Sequence, residues 1–271
     1  MALEALKAKM KLATLVDRVD VGGPWLSIFK FDLPEEFRFE SGQYATLALD
    51  TPKGFLPRPY SIASSPYDSK ILEFYINVVE EGEFTPHLFR LKVGDHAWYM
   101  GPKGKFTLGR TNKKNLIMVS TGTGLAPFVS MIRKLQRDGT INGKSDYRLV
   151  VMHGVSHSID LGYRPQLEEW GRNKDLGVYY IPTVSRPGED PDFQPQFAQG
   201  RVNDLLRHFL GEPKTGSVDP RPGKGMDAEK VKELVEESSA FYLCGNPGMI
   251  ADAKEVLSAH GHTEIFTEDY W

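Results

Sequence analysis

Hydrophobic and polar residues alternate along the first part of the chain and gather into unbroken apolar runs along the second. Leu12 to Val21 alternates loosely and stops at Gly22-Gly23-Pro24, and Trp25 to Asp32 alternates until Leu33-Pro34-Glu35-Glu36 interrupts it. Tyr44 to Leu49, Ile71 to Val79 and His96 to Met100 are further short segments of this kind, separated by Gly/Pro turns. A strand points successive side chains to opposite faces. The pattern therefore predicts an antiparallel β-barrel or sandwich over residues 1–110. One helix is expected inside it. Thr85 suits the N-cap, Pro86 the first helical position, and Leu88 to Leu91 continue to a stop at Gly94.

After a polar, Gly-rich segment (Gly101 to Lys105, then Thr111 to Asn115) the period changes. The expected domain boundary lies there, giving domains 1–110 and 111–271. Leu116 to Ser120, Tyr147 to Met152, Val178 to Val184 and Phe241 to Cys244 read as strands covered on both faces. Ala126 to Gln136, Pro165 to Trp170, Val202 to Leu210 and Met249 to His260 carry helical spacing. Alternation of strand and helix predicts an α/β domain with a doubly wound parallel sheet. Thr215 to Gly225 reads as a surface loop.

Composition narrows the function classes. The 271 residues are 40% hydrophobic and 25% charged, as in ordinary globular chains, and two cores fit that length. A net charge of -3 offers no global case for nucleic-acid or membrane binding. The one cysteine excludes a disulfide framework and a four-cysteine iron–sulfur cluster within this sequence. A lone thiol and an N-terminus without a signal-peptide core suggest a cytoplasmic protein.

Four short stretches carry candidate chemistry. Arg58-Pro59-Tyr60-Ser61, expected in a loop after Tyr44 to Leu49, offers a cation, a rigid turn, a ring and a hydroxyl, a set that suits a flavin. Thr121-Gly122-Thr123-Gly124-Leu125-Ala126-Pro127 joins a strand to a helix. Its glycines let backbone approach a diphosphate, although Pro127 stands where a dinucleotide fingerprint has its third glycine. A plain strand–helix turn needs the same residues. Cys244-Gly245-Asn246-Pro247 is a second such turn, either a cradle for a flat ring or a buried structural cysteine beside a tight turn. Ser185-Arg186, with Arg201 opening the next helix, suits the 2′-phosphate of NADP better than the bare ribose of NAD. Solvated arginines are the alternative.

Taken in order, the Arg58 block, Gly82-Glu83-Phe84-Thr85, the Gly122 block, Ser185-Arg186, the Cys244 block and the terminal Glu268-Asp269-Tyr270-Trp271 resemble the ferredoxin–NADP reductase family. The resemblance is closest to the bacterial ferredoxin (flavodoxin)–NADP reductases that end in a Tyr-Trp pair. It implies FAD on the barrel and NADP(H) on the second domain. Arg58 is then expected at an FAD phosphate, and Pro59 and Tyr60 at the isoalloxazine. Ser61 is expected near N5, Ile76-Asn77-Val78 along the flavin through their backbone, and Gly82 to Thr85 at the diphosphate. Thr123 and Cys244 would flank the nicotinamide, Gly122, Gly124 and Gly245 would also bind NADP, and Thr123 would touch FAD as well. Glu268 would handle protons, Tyr270 would cover the flavin, and Trp271 would stack on adenine. The Arg that often follows the second strand of the NADP domain is missing from His153-Gly154-Val155-Ser156-His157.

The implied function is electron transfer between NADP(H) and an acidic ferredoxin or flavodoxin, by hydride transfer at flavin N5 and then single-electron steps. Lys103, Lys105, Lys113, Lys114 and Arg58 are the expected basic face. A reductase that supplies an oxygenase through a separate ferredoxin is the second reading, and a non-catalytic flavin-binding sensor the third. Ser61, Cys244, Glu268 and Tyr270 are the expected catalytic residues.

Overall fold

The computed structural model describes residues 2–139, 146–173, 177–236 and 239–269. The chain divides into two compact units. The first is Met1–Leu108 with Ala126–Lys134, and the second is Gly109–Leu125 with Leu135–Trp271.

The first unit holds a short helix, α1 (Ala2–Lys7), and strands β1 (Lys11–Asp20), β2 (Leu26–Asp32), β3 (Tyr44–Thr51), β4 (Gly54–Ser61), β5 (Ile71–Asn77) and β6 (His96–Lys103). They form one antiparallel sheet in the order β4-β3-β6-β1-β2-β5. The sheet curls until its outer strands meet: Tyr60 on β4 and Phe74 on β5 have ring centroids 6.4 Å apart. Period-two alternation makes this possible. Leu15, Phe29, Phe31, Leu47, Leu72 and Phe74 face a common core and are fully buried. Residues Ala126–Lys134 complete the unit. Ser130 Oγ donates to the Ser64 carbonyl (2.7 Å), and Arg133 Nη1 donates to the Ala63 carbonyl (2.9 Å) and to Glu73 Oε1 (2.6 Å).

The second unit holds a parallel sheet of β7 (Asn115–Thr121), β8 (Arg148–Val155), β9 (Val178–Val184), β10 (Ala198–Gln199), β11 (Ala240–Gly245) and β12 (Ile265–Asp269), in the order β10-β9-β8-β7-β11-β12. Unbroken apolar runs suit strands covered on both faces. Ile117, Val119, Val150, Phe241 and Leu243 bury one face against helices α5 (Val202–Phe209), α6 (Ala228–Glu236) and α7 (Pro247–Ala259). Helix α4 (Arg164–Arg172) packs along β9. Helix α3 spans Ala126–Arg137.

Several expectations are corrected. Arg58-Pro59-Tyr60-Ser61 is not a loop but the end of β4, paired with Tyr44 to Leu47 of β3. Pro57 and Pro59 are tolerated because β4 has a hydrogen-bonded neighbour on one side only. The expected helix shrinks to α2 (Thr85–Leu88), and Phe84, not Thr85, stands at its N-cap. The Thr85 hydroxyl is taken up elsewhere, accepting from the Val79 amide (2.8 Å). Strand β5 stops at Asn77, and Val78 only adds an N–H bond to the Trp25 carbonyl. The 215–225 loop is tied down. Asp204 accepts from the Thr215 and Gly216 amides, and Arg221 bridges Gln199 at the sheet edge. Past the end of α7, the His262 ring lies 4.6 Å from that of Phe241.

Candidate active site

Chain order and strand order part company between β7 and β11. From β7 the sheet runs one way through β8, β9 and β10, and the other way through β11 and β12. Such a reversal opens a crevice at the carboxyl ends of the two central strands, where doubly wound sheets bind ligands. Both glycine turns picked out in the sequence sit there, and they interlock. A Cβ on Gly124 would lie 2.3 Å from the Cys244 carbonyl oxygen, and one on Gly245 2.4 Å from Thr121 Oγ1. Thr121 Oγ1 also accepts the Asn246 amide at 2.8 Å. These glycines have no room for a side chain, so the rim of the crevice is backbone. Gly245 also has a φ of +125°, outside the range of other residues.

The turn after β7 is a 3-10 turn, Gly122–Leu125, from which α3 continues. The turn after β11 is capped by Asn246, whose side-chain oxygen accepts from the Gly248 amide (2.9 Å) and the Met249 amide (3.2 Å). That cap starts α7. Cys244 is fully buried at the end of β11. Its register neighbours are Ser120 on β7 and Glu268 on β12. Cys244 and Glu268 therefore stand side by side at the crevice, with Glu268 half-buried.

Ser185 and Arg186 follow β9 at the same edge. Their amides donate to the Val155 and Ser156 carbonyls, at 2.9 and 3.1 Å, which continues the ladder past the strand ends. The Arg186 side chain is exposed, with Glu189 3.9 Å away. Arg201 is the exposed N-cap residue of α5. Gly154 lets that helix start close to β8, because a Cβ there would lie 2.8 Å from Val202 Cβ.

The sequence reading missed His153. It lies within the buried run of β8, two residues before the strand ends, and its Nε2 lies 3.0 Å from the Gly122 carbonyl. Burial pushes the imidazole down to about 4, outweighing the opposing hydrogen bond to Gly122. The available signal was a polar residue near the carboxyl end of a continuous apolar strand.

The first unit carries the other candidate residues. Arg58 is exposed and donates to the Pro57 carbonyl (2.8 Å). The Tyr60 ring is braced by Phe74 and by Phe84, whose centroid is 5.7 Å away. Burial pushes the Tyr60 hydroxyl well above the usual phenol range, against the pull of Arg58. Ser61 is buried beside it. Gly82 closes a tight turn in which a Cβ would come 2.9 Å from the Val79 carbonyl oxygen. The Glu83 carboxylate turns to Lys53 at 3.0 Å, and that bond and charge hold it below the usual carboxylate range. Glu83, Phe84 and Thr85 lie at the start of α2, where the first N–H groups of a helix lack intrahelical partners. An exposed guanidinium, a braced ring and these amides fit the phosphates and ring of FAD. The glycine crevice with Arg186 and Arg201 fits a phosphorylated dinucleotide.

Residues 13–108 match the model of the oxidoreductase FAD-binding domain, and residues 118–255 match that of the oxidoreductase NAD-binding domain. A ferredoxin–NADP reductase from Azotobacter vinelandii is 31% identical over 242 residues, 86% of this chain and 83% of that one. The chain belongs to the ferredoxin–NADP reductase family. Ferredoxin–NADP reductase B from Sorangium cellulosum is 34% identical over 186 residues, 69% of this chain and 72% of that one. The same fold recurs in a ferredoxin NADP+ reductase from Neisseria gonorrhoeae solved with FAD and NADP. Its TM-score is 0.76 at 23% identity, over 97% of this chain and 99% of that one.

Of the residues implied by the family resemblance, Tyr270 and Trp271 lie outside the described residues. Of the lysines expected on a basic face, Lys113 lies 3.9 Å from Glu264 and Lys114 sits 4.1 Å above the Tyr147 ring. Lys103 and Lys105 are exposed. Among the described residues no helix is long and apolar enough to cross a membrane.

Proposed function

We infer that this chain is an FAD-dependent oxidoreductase that moves electrons between NADP(H) and a ferredoxin or flavodoxin in the cytoplasm. The observation that carries the reading is the pair of interlocked glycine turns at the β7/β11 reversal, with Ser185 and Arg186 on the same edge. Bound FAD supplies hydride exchange with nicotinamide at N5 and release of single electrons to a protein acceptor.

The chain's own residues bind and orient. Arg58 pairs with an FAD phosphate, and the amides of Glu83 to Thr85 hold the diphosphate. Tyr60 would stack on the flavin, while Pro59 fixes the strand that presents it. Ser61 would hydrogen-bond near N5, and the backbone of Ile76 to Val78 would meet the ring. Thr123, Gly245 and Cys244 would border the nicotinamide, and Glu268 would help place it and handle the proton that flavin reduction takes up. Ser185, Arg186 and Arg201 take the 2′-phosphate by charge-assisted hydrogen bonds. Tyr270 and Trp271, outside the described residues, would cover the flavin and stack on adenine by the family resemblance. Lys103 and Lys105 are the basic contacts for an acidic partner.

Anaerobic mixing of the FAD-loaded chain with NADPH or NADH tests the reading. NADPH should bleach the flavin far faster. No bleaching by either nucleotide defeats the enzyme reading, and equal rates defeat the phosphate role of Ser185 and Arg186. R186A should lower NADPH kcat/KM about tenfold or more, as loss of one charge-assisted bond implies. NADH should be unaffected.

A further inference from the structure

The glycine turn that opens the crevice is held by a residue outside it. Gly122 has a φ of +51°, and a Cβ there would meet nothing within 4 Å. Glycine pays no side-chain penalty for either orientation of the peptide between Gly122 and Thr123. Within the turn the 3-10 bonding orients this peptide, and one side chain from outside it adds to that: His153 Nε2 lies 3.0 Å from the Gly122 carbonyl oxygen. A carbonyl accepts, so Nε2 carries the proton and Nδ1 does not. Nδ1 is buried with no hydrogen-bond partner in the structure. An apolar side chain would avoid that cost.

A trans peptide points its C=O and the following N–H in opposite directions. His153 lies on β8, paired in register with Ser120 of β7, so the Gly122 carbonyl is turned back onto the sheet. The Thr123 N–H is thereby turned away from His153. We propose that His153 is a positioning residue: its Nε2–H pins the Gly122 carbonyl so that the Thr123 amide is presented to the diphosphate of the dinucleotide. The proposal rests on the reading of this crevice as the NADP(H) site.

Full-length H153L and H153M remove the donor, while H153Q keeps an amide N–H of similar reach. Affinities for NADP+ and for 2′-AMP, which has no diphosphate, are measured by calorimetry, with thermal midpoints to check folding. H153L and H153M should bind NADP+ about tenfold more weakly and 2′-AMP within twofold of the parent. H153Q should recover most of the loss. Unchanged NADP+ affinity in the donorless variants overturns the proposal. So does a proportional loss of both ligands, or an H153Q no better than H153L. If H153L does not fold, H153M carries the comparison. A parent chain that binds neither ligand overturns the dinucleotide reading, and the proposal with it. A parent that binds both, with H153L unaltered, overturns the His153 role alone.

Discussion

The two units build their candidate sites by opposite means. The first presents side chains: an exposed guanidinium at Arg58, a braced ring at Tyr60 and a buried hydroxyl at Ser61, set on a strand with one free edge. The second presents backbone, cleared of side chains at Gly124 and Gly245 and fitted to within van der Waals contact. A side-chain platform is graded, because each group adds its own contact. A backbone crevice behaves as all or none, because one added carbon meets main-chain atoms that cannot swing aside.

The largest expected effect lies in the first unit. Glu73 is 5% exposed, and Arg133 Nη1 lies 2.6 Å from its carboxylate. R133M should cost about 4 kcal/mol in urea unfolding, because it leaves a carboxylate buried without its cation. A cost under about 1 kcal/mol would show that this unit does not depend on its buried charge pair.

Acid should act next, through the second unit. His153 has its imidazole lowered from 6.5 to about 4, so the unfolded chain binds more protons between those values. Stability should fall as pH drops through that window, by about 3 kcal/mol in all, with no contribution from His153 above it. Asp252 acts lower on the scale. Burial would raise its carboxyl, but hydrogen bonds from Arg207 and Asn203 hold it below 3.8. Urea midpoints at pH 7 and pH 4.5 should differ markedly in the parent and much less in H153L.

The crevice itself is tested by two alanines. G124A places a Cβ against the Cys244 carbonyl and should cost about 3 kcal/mol. G122A meets open space and should cost about 1 kcal/mol, from its left-handed φ alone. Equal costs would mean that the close approach at Gly124 relaxes and that the crevice is softer than described. The smallest effect belongs to the surface. K53A removes the exposed partner of Glu83 and should leave the urea midpoint unchanged within error.

The elements read best from sequence were those with one dominant period. The strands β7, β8, β9 and β11 are unbroken apolar runs and were placed within a few residues of where they lie. Strand β4 escaped notice because two prolines and a glycine imitate a loop, and its pairing with β3 supplies what local propensity does not. Helix α6 has Val231, Leu234 and Val235 at helical spacing, but the segment is short and otherwise charged. Thr85 carried the right chemistry for a cap. Its hydroxyl went to Val79, a contact that exists only once the preceding turn is folded.

The sequence by itself determined which residues could do chemistry and which glycines the turns require. Both are properties of single residues and their immediate neighbours. Tertiary structure decided which of them meet. Gly124 abuts Cys244, Thr121 caps Asn246, Cys244 stands beside Glu268, and His153 reaches Gly122. Each pair is joined by strand order, and strand order follows from how helices and strands bury their apolar faces together. That packing is a property of the whole chain, and no window of sequence contains it.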